Sequence, residues 1–123
     1  MESLEKAKLC LRIIRERKAI DPVLIQMGNL TSITDYFLIA GGDSTRQVQA
    51  MAQHLRKRMR EEGFRPFGVE GEQEGQWTLA DYGDVIVHLF YEPTREFYDL
   101  EGLWIDAERI SADEEAPGKG TSH

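Results

Sequence analysis

The 123-residue chain has a single cysteine, Cys10, so it cannot form an internal disulfide, and that fits a reducing compartment. No apolar run approaches the roughly 20 residues that a membrane-spanning helix needs. The first eighteen residues, MESLEKAKLCLRIIRERK, carry Glu2 and Glu5 and lack an apolar segment of signal-peptide type. Neither a secretory signal nor an acid-poor transit peptide is therefore expected, and the cytosol is the expected location. Positive charge is also short: 15 Lys and Arg face 22 Asp and Glu, a formal net charge of −7. A chain of that sign repels phosphate backbones as a whole, which argues against an ordinary nucleic-acid binder and against direct DNA binding. It leaves room for a basic protein partner.

The sharpest shortage is local. Between Arg65 and Arg95 there is no Lys or Arg, while Glu70, Glu72, Glu74, Asp81, Asp84 and Glu92 all fall there, with His88 the one potential cation. Positive charge collects instead at Arg12, Arg15, Arg17 and Lys18, and again at Arg56, Lys57, Arg58 and Arg60. Both basic groups lie late in helical patterns, where cations complement the helix dipole.

Leu4, Ala7, Leu11 and Ile14 recur at helical spacing and predict a first helix from Ser3 to Arg17, ended by Asp21-Pro22. Val23–Met27 reads as a strand and Gly28-Asn29 as a turn. Asp35–Ala40 reads as a buried central strand, broken by Gly41-Gly42. Ser44 with Gln47 fits a capping box at the start of a second helix, whose stripe is Val48, Met51, Ala52, Leu55 and Met59 and whose stop is Gly63. Three strands follow, at Phe67–Val69, Gln76–Ala80 and Asp84–Tyr91, the last strongly β-branched and aromatic. Pro93 opens a short helical segment whose apolar side is Phe97, Leu100 and Leu103-Trp104. Residues 111–123 have no apolar residue larger than Ala and read as a disordered tail. The expectation is an α/β fold: a single domain over residues 1–110, with a mixed β-sheet covered by helices.

Enzyme chemistry finds little footing in this pattern. Gly41-Gly42-Asp43-Ser44 lies between a strand and a helix start, a common place for anions, yet it has neither the lysine of a P-loop nor the spaced glycines of a dinucleotide fingerprint. Nucleotidyl transferases follow such a turn with paired metal-binding acids, whereas residues 54–59 here read HLRKRM. His54, His88, His123 and Cys10 lack zinc-ligand spacing, so no metal or other cofactor is expected. Cys10 sits beside the apolar stripe of the first helix, a packing position. Asp81 and Asp84, across a turn, could be an acid/base pair but suit a hairpin or a partner better. A lone strand histidine such as His88 is more often a hydrogen-bonded structural residue than a catalyst.

The segment 70–84, EGEQEGQWTLADYGD, joins Trp77, Leu79 and Tyr82 to an acidic surround. Strand alternation puts Trp77, Leu79 and Asp81 on one side of the chain. A core face would not choose aspartate there, whereas a docking face for a basic partner would. Trp77 would anchor the contact and the carboxylates would steer the encounter.

The same residues carry a family resemblance. SITDYFLIAGGDSTRQVQAMAQHL (Ser32–Leu55) is similar to the first signature of the RsfS/Iojap family. GVEGEQEGQWTLADYGDVIVHLF (Gly68–Phe90), with Arg95-Glu-Phe-Tyr98 and Leu100-Glu-Gly-Leu-Trp104, resembles the second. The resemblance implies a fold like a nucleotidyl transferase stripped of its catalytic acids. It also implies a non-enzymatic factor that binds the large ribosomal subunit through large-subunit ribosomal protein fourteen and sterically blocks joining of the small subunit when nutrients are scarce. Large-subunit assembly through the same surface is the alternative it implies, and a homodimer is a further expected state. Carried onto matching positions, the expected contact surface is Glu70, Trp77, Leu79, Asp81, Tyr82, Asp84 and His88.

Overall fold

The computed structural model describes residues 1–105 and 107–110, so the expected tail at 111–123 lies outside the described residues. Helix α1 (Ser3–Arg15) is followed by strands β1 (Ile20–Gln26) and β2 (Tyr36–Gly42), then helix α2 (Thr45–Glu61). Strands β3 (Gly68–Glu70), β4 (Trp77–Asp81) and β5 (Val85–Tyr91) come next. The described chain closes with helix α3 (Glu92–Tyr98), a short 3-10 helix (Leu100–Trp104) and β6 (Arg109–Ile110). The six strands form one mixed sheet in the order β3-β4-β5-β2-β1-β6. β2 and β5 pair in parallel at its centre, and every other pairing is antiparallel.

The fold is thus the expected α/β domain, a mixed sheet with helical cover. Period-3.6 stripes place Ala7, Leu11 and Ile14 of α1 and Val48, Met51, Leu55 and Met59 of α2 against one sheet face. Leu24, Leu38, Ala40, Ala80, Val85, Val87 and Leu89 meet them from the strands. At about 25 cal/mol per Å² of apolar area removed from water, this layer is the main source of stability.

Three expectations need correcting. Gly41-Gly42 does not break β2 but ends it, paired in register with Phe90 and Tyr91. A Cβ on Gly41 would collide with the Glu92 carboxylate of α3, and one on Gly42 would come within 2.9 Å of Val48 on α2. These glycines answer to cover from both sides. Asp21-Pro22 likewise lies inside β1, at an irregularity where Ile20 pairs with Gly41 and Val23 with Ile39. The helix before it already ends at Arg15. Finally, the two-residue β6, on the far edge beside β1, had no counterpart in the expected order.

Candidate docking face

The second face of the sheet is built in rows that run across the strands. One row reads Glu70, Leu79, His88, Ile39 and Val23 in register, from β3 to β1. A flanking row reads Gly68, Asp81, Ile86, Phe37 and Ile25. Leu100, Trp104 and Ala107 cover the β5-β2-β1 half, packing on Ile25, Met27, Ile39, Phe90 and Phe37. Among the described residues the β3-β4 half has no such cover. Glu70 is exposed there, and Leu79 and Asp81 are half-buried.

Trp77 stands at the boundary between the two halves. Its ring lies on Phe90, centroids 4.8 Å apart and 29° between planes, and Tyr98 approaches its indole at 5.1 Å. Its indole N–H donates to His88 Nδ1 at 3.1 Å. Beyond it, His88 meets Phe37 edge-on at 4.6 Å, and Phe37 meets Trp104 edge-on at 6.2 Å. Aromatic pairs in these geometries add to the plain area term. Trp77 is therefore half core and half surface, a plate held by Phe90, Tyr98 and His88.

The loop before β4 fixes where that plate begins. Gly71 has φ +79°, and a Cβ there would collide with the Trp77 carbonyl, so only glycine lets the β3–β4 loop close so tightly. Beside Trp77, Tyr91, Pro93, Thr94, Phe97 and Tyr98 line an open groove of about 420 Å³. Phe97 is 80% exposed, Leu103 71% and Ile105 74%. The sequence expectation put Phe97 and Leu103 on the packed side of this segment. Instead Leu100 and Trp104 pack, and Phe97 and Leu103 point outward. Large apolar side chains left exposed in this way are typical of an interaction site where they gather into a patch.

Two expected contact residues are not surface residues. Tyr82, only 1% exposed, packs in the layer under α1 and α2, its hydroxyl without a hydrogen-bond partner among the described residues. Tyr82 follows β4 at the turn, where the alternation that holds for residues 77–81 sends it to the opposite face. His88 is 4% exposed. Because its Nδ1 accepts from Trp77, the neutral ring carries its proton on Nε2, and burial lowers its pKa to about 4. From this buried place it positions the indole.

The two aspartates have structural duties. Asp81 Oδ1 accepts the Gly83 N–H at 2.8 Å and tightens the β4–β5 turn. Asp84 Oδ1 accepts from Lys6 Nζ at 2.8 Å and Oδ2 from Ser3 Oγ at 3.1 Å, which ties the start of α1 to the sheet. Burial opposes ionisation of Asp84, yet the bonds from Lys6 and Ser3 and the Lys6 charge hold it below the usual carboxylate range.

Arg95 is a residue that sequence reasoning missed. It is buried, and its guanidinium donates to the carbonyls of Ile20 and Asp21 at the β1 irregularity, at 3.0 and 2.8 Å. Glu101 at 2.9 Å and Glu92 at 3.4 Å balance its charge. One side chain thereby pins α3 and the 3-10 helix to β1 and holds the half-cover in place. Its signal in the sequence was its place as the first Lys or Arg after a twenty-nine-residue gap and at the head of the Arg95-Glu-Phe-Tyr98 signature, neither of which gives its role.

The positions weighed for enzyme chemistry have capping and packing roles. Ser44 Oγ accepts the Gln47 N–H and Gln47 Oε1 accepts the Asp43 N–H, so the α2 start is occupied by its own side chains. Cys10 is buried 3.8 Å from Met59 Sδ, and burial pushes its thiol up to about 12. Such a thiol is not a nucleophile at neutral pH. Among the described residues no three His, Cys, Asp or Glu side chains gather as a metal would require.

The fold is a small mixed-sheet α/β domain, and the second face of its sheet carries Trp77 and Leu79 beside Glu70 and Asp81. The profile of the family described as "Ribosomal silencing factor during starvation" matches residues 1–123, and the chain belongs to that family. It is 38% identical over 110 residues to ribosomal silencing factor RsfS of Halalkalibacterium halodurans, covering 89% of this chain and 94% of that one. It is 35% identical over 99 residues to the mouse protein "Mitochondrial assembly of ribosomal large subunit protein 1", covering 78% of this chain and 43% of that one. A crystal structure of a Chromobacterium violaceum protein superposes with a TM-score of 0.83 at 36% identity, over 90% of this chain and 92% of that one.

Proposed function

We propose that this protein is a cytosolic, non-enzymatic factor that docks on the large ribosomal subunit through the open β3–β4 half-face. Large-subunit ribosomal protein fourteen is the partner, and joining of the small subunit is blocked sterically, so translation falls when nutrients are limiting. The observation that carries this reading is the pairing of Trp77 and Leu79 with an acidic edge that has no Lys or Arg from residue 66 to residue 94. Ribosomal proteins are basic as a class, and opposite charge speeds encounter while an aromatic anchor slows release. Family membership supports the same direction. Glu70, Trp77 and Leu79 make the contact, Asp81 borders it, and His88 holds Trp77 in place. A second copy of the chain would compete for this face, so a homodimer is expected to give way to the ribosome.

The test is co-sedimentation of the purified protein with isolated large and small subunits at physiological salt. The expected result is pelleting with the large subunit alone, together with a loss of subunit joining. Binding to neither subunit would sink the proposal. The resemblance to the mouse protein named for mitochondrial large-subunit assembly favours a second reading, assembly work through the same face. Large-subunit binding that leaves joining intact would select it.

A further inference from the structure

At the corner where α2 runs into β3, the charge reverses. Arg56 and Arg60 lie one helical turn apart on the same face of α2. Gly63, with φ +93°, then turns the chain back, and Arg65 joins them. The three guanidinium side chains, with Phe64 and Pro66, line a cavity of about 330 Å³. Arg56 is held in place by a two-pronged ion pair, Nε and Nη2 to the Glu72 carboxylate at 2.9 and 2.8 Å, which leaves Nη1 free of any bond to a described residue. The guanidiniums of Arg60 and Arg65 have no hydrogen-bond or salt-bridge partner among the described residues, and both residues are exposed. The adjacent Arg58 shows the contrast, since it is engaged with both Glu16 and Glu61.

We infer that this corner binds backbone phosphates of RNA. Guanidinium forks match phosphate geometry, and one already fixed by a carboxylate loses little further freedom on binding. Glu61, Glu62 and Glu70 lie close by in the chain, so the positive area is narrow. A broad anionic surface such as a membrane would meet those carboxylates too. A single strand or loop, two or three phosphates long, fits the space. Phe64, whose ring packs on the core and has Lys6 Nζ 4.8 Å from its centroid, and Pro66 supply the apolar part of the lining. The net charge of −7 opposes long nucleic acid and leaves a short local contact.

This inference goes beyond ribosome docking and can fail separately from it. The full chain, isotopically labelled, is titrated by NMR with a short RNA hairpin in the absence of any ribosomal component. Amide signals of Arg60, Phe64 and Arg65 are expected to shift. The Arg60→Glu/Arg65→Glu variant, checked for an unchanged circular dichroism spectrum, is expected to bind roughly tenfold or more weakly and to flatten the log–log salt slope by about 2. Trp77→Ala is expected to leave hairpin binding unchanged, although it weakens large-subunit binding if the docking proposal holds. Absence of shifts, shifts that persist in the charge-reversed variant, or saturation by inorganic phosphate alone would each overturn the RNA assignment. The milder Arg60→Gln/Arg65→Gln pair replaces the first variant should that one misfold, with a smaller loss of affinity but a similar flattening of the salt slope, by about 2, expected.

Discussion

The two faces of the sheet are made from the same strands and have different fates. Under α1 and α2, Leu38, Ala40, Val87 and Leu89 are closed off completely. On the other side a short helical segment, clasped by Arg95, covers the β5-β2-β1 half, while among the described residues Leu79 stays half-buried and Glu70 exposed. Strand periodicity assigns residues to a face, but whether that face is core depends on what the rest of the chain lays over it. A half-covered face is a place where stability has been left unclaimed, and the natural use for it is binding.

The largest expected effect separates the faces directly. Tyr82→Ala removes a ring from the closed layer and is expected to cost about 3–5 kcal/mol of stability in urea unfolding. Leu79→Ala, on the open half, is expected to cost about 1 kcal/mol or less. Equal losses would mean that the open half is core after all. Next comes the His88 effect, with a clear sign. Its folded pKa of about 4 lies below its ordinary 6.5, so the unfolded chain takes up the proton first as pH falls. The neutral ring's contribution is whole above pH 6.5 and is lost as pH falls towards 4, by about 3 kcal/mol at the acid end. Asp84 acts in a lower window, since its depressed pKa costs stability only below the usual carboxylate range. A His88→Gln variant whose unfolding midpoint is as pH-sensitive as the parent's would refute the assignment. Trp77→Ala ranks third. It is expected to weaken large-subunit binding by about 2 kcal/mol, roughly thirtyfold in Kd, with the fold retained.

Much of this was legible from residues alone. The apolar stripes of both long helices, the β-branched run 85–91 and the alternation of Trp77, Leu79 and Asp81 all report local periodicity, and the structure repeats them. What escaped the sequence was non-local. Gly41-Gly42 looked like a strand breaker because the side chains that crowd it, Glu92 and Val48, come from later elements. Tyr82 looked like a hot spot because it followed an alternating strand by one residue, and that one residue inverted its face. Phe97 and Leu103 looked packed because helical spacing was extended across Asp99. There the backbone turns left-handed, with φ 47°, and the helix restarts as a tighter one. Arg95 could not be singled out, because its partners are main-chain carbonyls 74 and 75 residues away.

The smallest expected effect asks where the docking face ends. Phe97 is exposed yet sits edge-on to Tyr98 at 5.1 Å, and Tyr98 in turn meets Trp77. Phe97→Ser removes little buried area, so stability is expected to move by no more than about 0.5 kcal/mol. If the groove beside Trp77 receives part of the partner, binding falls by about 1 kcal/mol, several-fold in Kd, because a rim aromatic contributes area without being the anchor. If binding is unchanged while Trp77→Ala still abolishes most of it, the partner stops at β4. The exposed apolar side of α3 would then stand outside the interface, and Arg95 would serve Trp77 only by holding Tyr98 behind it.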